Sequence, residues 1–192
     1  MAVALILDFP GGTKEQYDAV IERMELDGRS GPGGLFHAAG SYQGGWRVVD
    51  VWEDMASFER FRDEKIVPLT SELGMSPPSV RVLEIAETKR ATDRRPELVQ
   101  TVFLPGIDAG AFRERDQVIL RDGLPSEMTY HVNGPVEDGW LVVDAWDSKA
   151  ARDRFIETNI RPGMEGAALT GPPVFEDLVV EATLTSHAGA PA

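Results

Sequence analysis

The stretch Gly45-Trp46-Arg47-Val48-Val49-Asp50-Val51-Trp52-Glu53 returns as Gly139-Trp140-Leu141-Val142-Val143-Asp144-Ala145-Trp146-Asp147. Gly, both Trp, both Val and the first Asp are identical between the copies, and all four tryptophans of the chain lie in them. A histidine precedes each copy at the same distance, His37 and then His131. A chain that repeats itself at this spacing is built from two similar structural units, and whatever strand one copy forms the other must form too.

Taken in order, each half reads as strand, helix, strand, strand, helix, strand. Ala2 to Phe9 is a short apolar run that Pro10-Gly11-Gly12 ends. Thr13 opens a helix, with Gln16 in the capping-box position and Tyr17, Val20, Ile21 and Met24 at helical spacing. Leu35 to Gly40 and Trp46 to Glu53 form the next two strands. Asp54 caps a helix carrying Phe58, Phe61 and Ile66, which Pro68 is expected to end. Val80 to Ala86 is the last strand. The glycine-rich loop from Gly28 to Gly34 lacks the Lys-Ser/Thr ending of a phosphate loop.

The second half repeats this order. Leu98 to Leu104 is a strand, Asp108 caps a helix with Phe112 in the place of Tyr17, and Ser148 caps a helix with Phe155 in the place of Phe61. Val174 to Thr183 reads as a single closing strand. The expected organisation is 1–87 as the first repeat, 88–96 as a polar linker, 97–183 as the second repeat and 184–192 as a flexible tail containing His187. A β-α-β-β-α-β unit is the ferredoxin-like pattern, α+β with both helices on one sheet face. Its bare apolar sheet face must be buried, and the second copy supplies a partner, so the expectation is two sheets packed face to face.

Alternate residues of a strand share a face, so Trp46, Val48, Asp50 and Trp52 lie together and Val49 and Val51 lie opposite. Val49, Val51, Val143 and Ala145 suit packing under helices, which assigns the Trp-Val-Asp-Trp face to the space between the sheets. A carboxylate there needs a partner. If a two-residue hairpin is centred on Gln43-Gly44, His37 falls opposite Asp50, and one centred on Glu137-Asp138 puts His131 opposite Asp144; a slip of two residues would keep each pair on one face as diagonal neighbours. A carboxylate beside a histidine orients the ring and raises its pKa, making it a competent base. The expected catalytic residues are therefore His37, Asp50, His131 and Asp144. Trp46, Trp52, Trp140 and Trp146 would wall a flat substrate. The alternatives are that the pairs only satisfy inward polar groups and that the tryptophans only pack. Arg47 and Arg81 could reach an acidic substrate or belong to a solvated face.

The Gly-Trp-x-Val-Val-Asp-x-Trp strand, the upstream Phe36-His37 and Tyr130-His131, and the element order together resemble the dimeric α/β-barrel superfamily. Within it the chain looks most like antibiotic biosynthesis monooxygenase-type domains, in a tandem version that makes the barrel from one chain. The resemblance implies a substrate pocket lined by the key strand, between sheet and helices or within the barrel. It also implies a range of activities, from cofactor-independent oxygenation of polyketide aromatics to isomerisation and haem handling, and that one half alone can keep a working site.

Composition narrows the partners. A net charge of −13 repels phosphate backbones and anionic membranes, so neither nucleic acid nor membrane is an expected partner. No cysteine is present, which excludes disulfides and thiolate chemistry. One His and one Asp per half fall short of a usual three-ligand metal site, and nothing beyond the lone histidines points to haem, so no metal or cofactor is expected. The start reads as a first strand and not a leader, and cytoplasm is the default location. The functional expectation is an enzyme of secondary metabolism acting on a small apolar or aromatic molecule, as monomer or homodimer. It is a cofactor-independent monooxygenase, or alternatively an isomerase, cyclase or lyase, or a non-catalytic binding barrel.

Overall fold

The computed structural model describes residues 1–92 and 94–186, so His187 lies outside the described residues. The elements follow the repeat. The first half holds β1 (Val3–Pro10), α1 (Lys14–Met24), β2 (Gly34–Tyr42), β3 (Gly45–Trp52), α2 (Met55–Phe61), α3 (Val67–Glu72), β4 (Ser79–Glu84) and the short β5 (Glu87–Lys89). The second holds β6 (Leu98–Pro105), α4 (Ala109–Ile119), β7 (Met128–Val136), β8 (Gly139–Trp146), α5 (Lys149–Phe155), α6 (Arg161–Gly163), β9 (Val174–Val179) and the short β10 (Ala182–Leu184). The fold is α+β, with one five-stranded antiparallel sheet per unit.

Local chemistry sets the helix starts. Thr13 makes the full capping box with Gln16, and Asp54, Asp108 and Ser148 each accept a backbone N–H three residues on. Pro68 does not end its helix. A π-helical segment, Arg62–Ile66, precedes it and α3 runs on to Glu72. The same π segment, Ile156–Ile160, precedes Pro162. Proline's ring presses on the carbonyl four residues back, and a widened turn relieves that pressure.

The closing strands differ from the sequence expectation in a way that matters for the site. The first, β4, is followed by the separate short strand β5, and the second is broken into β9 and β10. β4 flanks β1 and β9 flanks β6, giving the orders β10-β2-β3-β1-β4 and β5-β7-β8-β6-β9. The continuation β5 pairs with β7, and β10 pairs with β2. Among the described residues, one compact unit is thus Met1–Val82 with residues 178–186, and the other is Leu83–Asp177. Thr88 and Lys89, expected in the linker, are strand, and so is Leu184, expected in the tail. Glycine permits the crossover. A Cβ on Gly40 would lie 2.2 Å from the Val179 carbonyl oxygen, and one on Gly134 would lie 2.1 Å from that of Glu84.

The expected face assignment is reversed. Trp46, Val48 and Trp52 cluster with Tyr17 of α1 and Phe58 of α2. Trp140 and Val142 cluster with Phe112 of α4, and Trp146 with Phe155 of α5. The Trp-Val-Asp-Trp face therefore lies under the helices of its own unit. The helices carry rings that pack against the indoles, tilted or edge-on in most cases and stacked for Phe112 on Trp140 at 4.9 Å between centroids. Val49, Val51, Val143 and Ala145 are on the opposite face and are buried as well. No described helix is long and apolar enough to cross a membrane.

Candidate active site

The hairpins bring each His–Asp pair together in the register expected. Gln43 and Gly44 both take positive φ, 45° and 78°, and His37 falls opposite Asp50. His131 falls opposite Asp144. His37 Nδ1 lies 2.7 Å from Asp50 Oδ1, and His131 Nδ1 lies 2.6 Å from Asp144 Oδ1. All four residues are buried.

Beyond that shared pair the units diverge. In the first, the Tyr17 hydroxyl closes the histidine, 2.7 Å from His37 Nε2, and its ring packs on Trp46. Burial, reinforced by the Asp50 charge, pushes the Tyr17 phenol well above its ordinary value, so it stays protonated. Leu5 sits opposite Asp50, and Phe58 sets its edge on Trp52. What remains is a void of about 60 Å³, room for no more than a few waters.

In the second unit an open cleft of about 1390 Å³ lies between sheet and helices, and His131 and Asp144 line it. Val102, Val142, Phe112, Phe155 and Ile160 supply its apolar wall. Polar side chains replace the apolar ones of the first unit. Gln100 stands opposite Asp144 where Leu5 stood, Arg152 occupies the place of Phe58, and Asn133 that of Ala39. Arg152 is 4% exposed, makes paired 2.7 Å contacts to Asp177, and Gln100 donates to the same carboxylate at 2.8 Å. Burial alone would raise the Asp177 carboxyl, but these donors hold it below its usual value. His131 Nε2 lies 2.9 Å from Asn133 Nδ2, and Trp140 donates its indole N–H to Asn133 Oδ1 at 3.1 Å.

Burial by itself would pull the His131 pKa down. The Asp144 charge and hydrogen bond, with help from Asp116, outweigh it and hold the pKa above the ordinary histidine value. Lys89 of β5 is likewise raised, because Asp116 and Glu87 outweigh its desolvation.

The tryptophans do not share one role. Trp46 and Trp52 line the small void of the first unit, Trp140 lines a separate recess of about 550 Å³ beside Asn133, and Trp146 is packed on Phe155. The indole N–H groups of Trp46, Trp52 and Trp146 have no hydrogen-bond partner. Arg47 is buried, paired to Asp8 and stacked on Tyr42, and Arg81 is exposed on β4. Gln100, Asn133, Arg152 and Asp177 were not read from the sequence as site residues. Setting the copies side by side exposes the first three, because each breaks an otherwise apolar correspondence. Among the described residues no group of three His, Asp or Glu is placed to hold a metal. An iron ligand from either histidine would have to displace Tyr17 or Asn133 from Nε2.

No protein-family model matches the chain, and no curated protein matches it by sequence. Solved structures do. A "putative monooxygenase" from Lactobacillus acidophilus is 14% identical, with TM-score 0.68 and 96% of both chains covered. A second protein of that designation, from Fusobacterium nucleatum, is 10% identical, with TM-score 0.72, covering 96% of this chain and 94% of that one. An anthrone oxidase-like protein is 17% identical, with TM-score 0.52, covering 95% and 92%. At these identities the likeness is one of fold, and the fold of this chain is the tandem ferredoxin-like fold of those proteins.

Proposed function

We propose that the chain is a cofactor-independent monooxygenase-like enzyme of secondary metabolism, with its working site in the cleft of the second unit. The observation that carries this is the asymmetry of the two His–Asp pairs. One is sealed under Tyr17 with about 60 Å³ beside it, and the other lines an apolar cleft of about 1390 Å³. The apolar wall suits a flat phenolic substrate, and the anthrone oxidase-like neighbour in fold supports that class.

In this reading His131 Nε2 takes a proton from an acidic C–H or O–H while Asp144 stabilises the imidazolium formed. The electron-rich anion passes electrons to dioxygen and a C–O bond forms. Loss of water, with the second C–H proton, turns the CH₂ into C=O. One oxygen atom ends in the product and one in water. The substrate carbon supplies all four electrons, so no external reductant enters.

Both nitrogens of His131 are engaged at rest, which favours a second reading, a binding cleft whose pair only holds the strands in register. Dioxygen uptake with 1,8-dihydroxyanthrone separates the two. His131→Ala should lower turnover about 10²–10⁴-fold, the usual contribution of a general base. Undiminished turnover in His131→Ala would remove the catalytic reading. Product formed equally without oxygen would point instead to an isomerisation, cyclisation or elimination begun by the same proton transfer.

A further inference from the structure

Asn133 has three polar neighbours, and two of them can play only one role. The Trp140 indole N–H donates and never accepts, and it lies 3.1 Å from Asn133 Oδ1. The Glu87 carboxylate accepts, and its Oε2 lies 3.4 Å from Asn133 Nδ2. Both require the amide oxygen toward Trp140 and the amide nitrogen toward the other side. The third neighbour is His131 Nε2, 2.9 Å from that amide nitrogen. An amide NH₂ carries only donors, so Nε2 must be the acceptor. Nδ1 then carries the ring proton and donates it to Asp144 at 2.6 Å.

We propose that Asn133, locked by Trp140, is a positioning residue that holds His131 as the neutral Nδ1–H tautomer with its lone pair on Nε2. The inference rests on the reading of His131 as the base. The charged groups facing His131 are Asp144 of β8, Asp116 of α4 and Lys89 of β5, with Glu87 of β5 beyond Asn133. The two aspartates favour the doubly protonated ring, which cannot accept a proton. An amide N–H aimed at Nε2 opposes that form, because it would face another N–H. The acidic O–H of a substrate is a stronger donor than an amide, so it displaces Asn133 and meets the lone pair directly.

The first unit lacks this device. Ala39 stands in the place of Asn133, and the Trp46 indole N–H is left without a partner. His37 Nε2 faces the Tyr17 hydroxyl, a group that can donate or accept, instead of an amide N–H that can only donate.

Nitrogen-15 NMR of the full chain tests the proposal. The chain has three histidines, assigned through His37→Gln and His131→Gln. The expected result is an Nδ1–H pattern for the neutral ring of His131, read above its titration midpoint. Asn133→Asp presents a carboxylate to both Trp140 and Nε2. It should raise the proton affinity of the ring about tenfold or more, one unit in the titration midpoint. Asn133→Ala should shift it the same way by less, which keeps the test alive if the Asp variant folds poorly. An Nε2–H pattern in the neutral ring of the wild type, or variants titrating like the wild type, overturns the proposal. Where turnover exists, the acid limb of kcat/KM should move up with the NMR midpoint. Shifted midpoints in a chain that consumes no dioxygen uphold the role of Asn133 and sink the oxygenase reading. His131-dependent turnover with unshifted midpoints does the reverse.

Discussion

The first unit has Leu5, Ala39, Phe58 and Tyr17 at the positions where the second has Gln100, Asn133, Arg152 and Phe112. The pairs themselves superpose in register and distance, 2.7 Å against 2.6 Å from Nδ1 to the carboxylate. What differs is what each environment leaves free. Apolar and phenolic side chains fill the first site to a void of about 60 Å³, whereas the second keeps a cleft of about 1390 Å³. Two hydrogen-bond arrangements therefore have different uses. A hydroxyl cap on Nε2 closes a satisfied core, and an amide held in one orientation beside an open cleft keeps a lone pair on call. The lesson is that a His–Asp pair is evidence of a strand register first, and of chemistry only where space and partners permit it.

The largest effect should come from setting the histidines against each other. His131→Ala should cost about 10²–10⁴-fold in turnover while His37→Ala leaves it within a few-fold, measured as dioxygen uptake on 1,8-dihydroxyanthrone. Equal losses would erase the distinction between the units. Next, Leu5→Ala empties a fully buried position and should lower the unfolding free energy by about 2–5 kcal/mol in urea titrations without touching turnover. A loss of turnover alongside would mean that the first unit's core supports the second unit's site.

A smaller effect is expected from Tyr17→Phe, which gives the first site the ring found at Phe112. It strands His37 Nε2 without its partner and should cost about 1–3 kcal/mol of stability, read from the same titration. A variant as stable as the wild type would show that the hydroxyl adds nothing to closing the site.

The smallest effect is a pH dependence. The folded pKa of His131 is raised above its ordinary 6.5, so the folded state binds the proton more tightly than the unfolded chain. The resulting stabilisation is fully present below about 6.5, the unfolded value. It is lost as pH rises through the folded value. The stability gap between wild type and His131→Gln should narrow across that window on alkalinisation. A gap that widens would reverse the sign of the Asp144 effect.

The sequence alone determined the duplication, the β-α-β-β-α-β order, the helix caps at Thr13, Asp54, Asp108 and Ser148, and the sharing of one sheet face by His37 and Asp50 and by His131 and Asp144, as opposite or diagonal neighbours. These depend on residues a few positions apart, where cap chemistry and the two-residue period of a strand act without help from the rest of the chain. Three things were decided only by tertiary structure. Which face of β3 and β8 the helices cover depended on how rings on separate elements stack. The passage of β5 and β10 into the sheet built mainly by the other repeat depended on pairing across the length of the chain. Gly40 and Gly134, each three residues past its histidine, were its only local trace. The open cleft arose where Gln100, Arg152 and Asp177, far apart in the chain, met in one network beside His131. Volume and hydrogen-bond partners are properties of packed side chains, so a repeated motif could state the pair twice without saying which copy had room to use it.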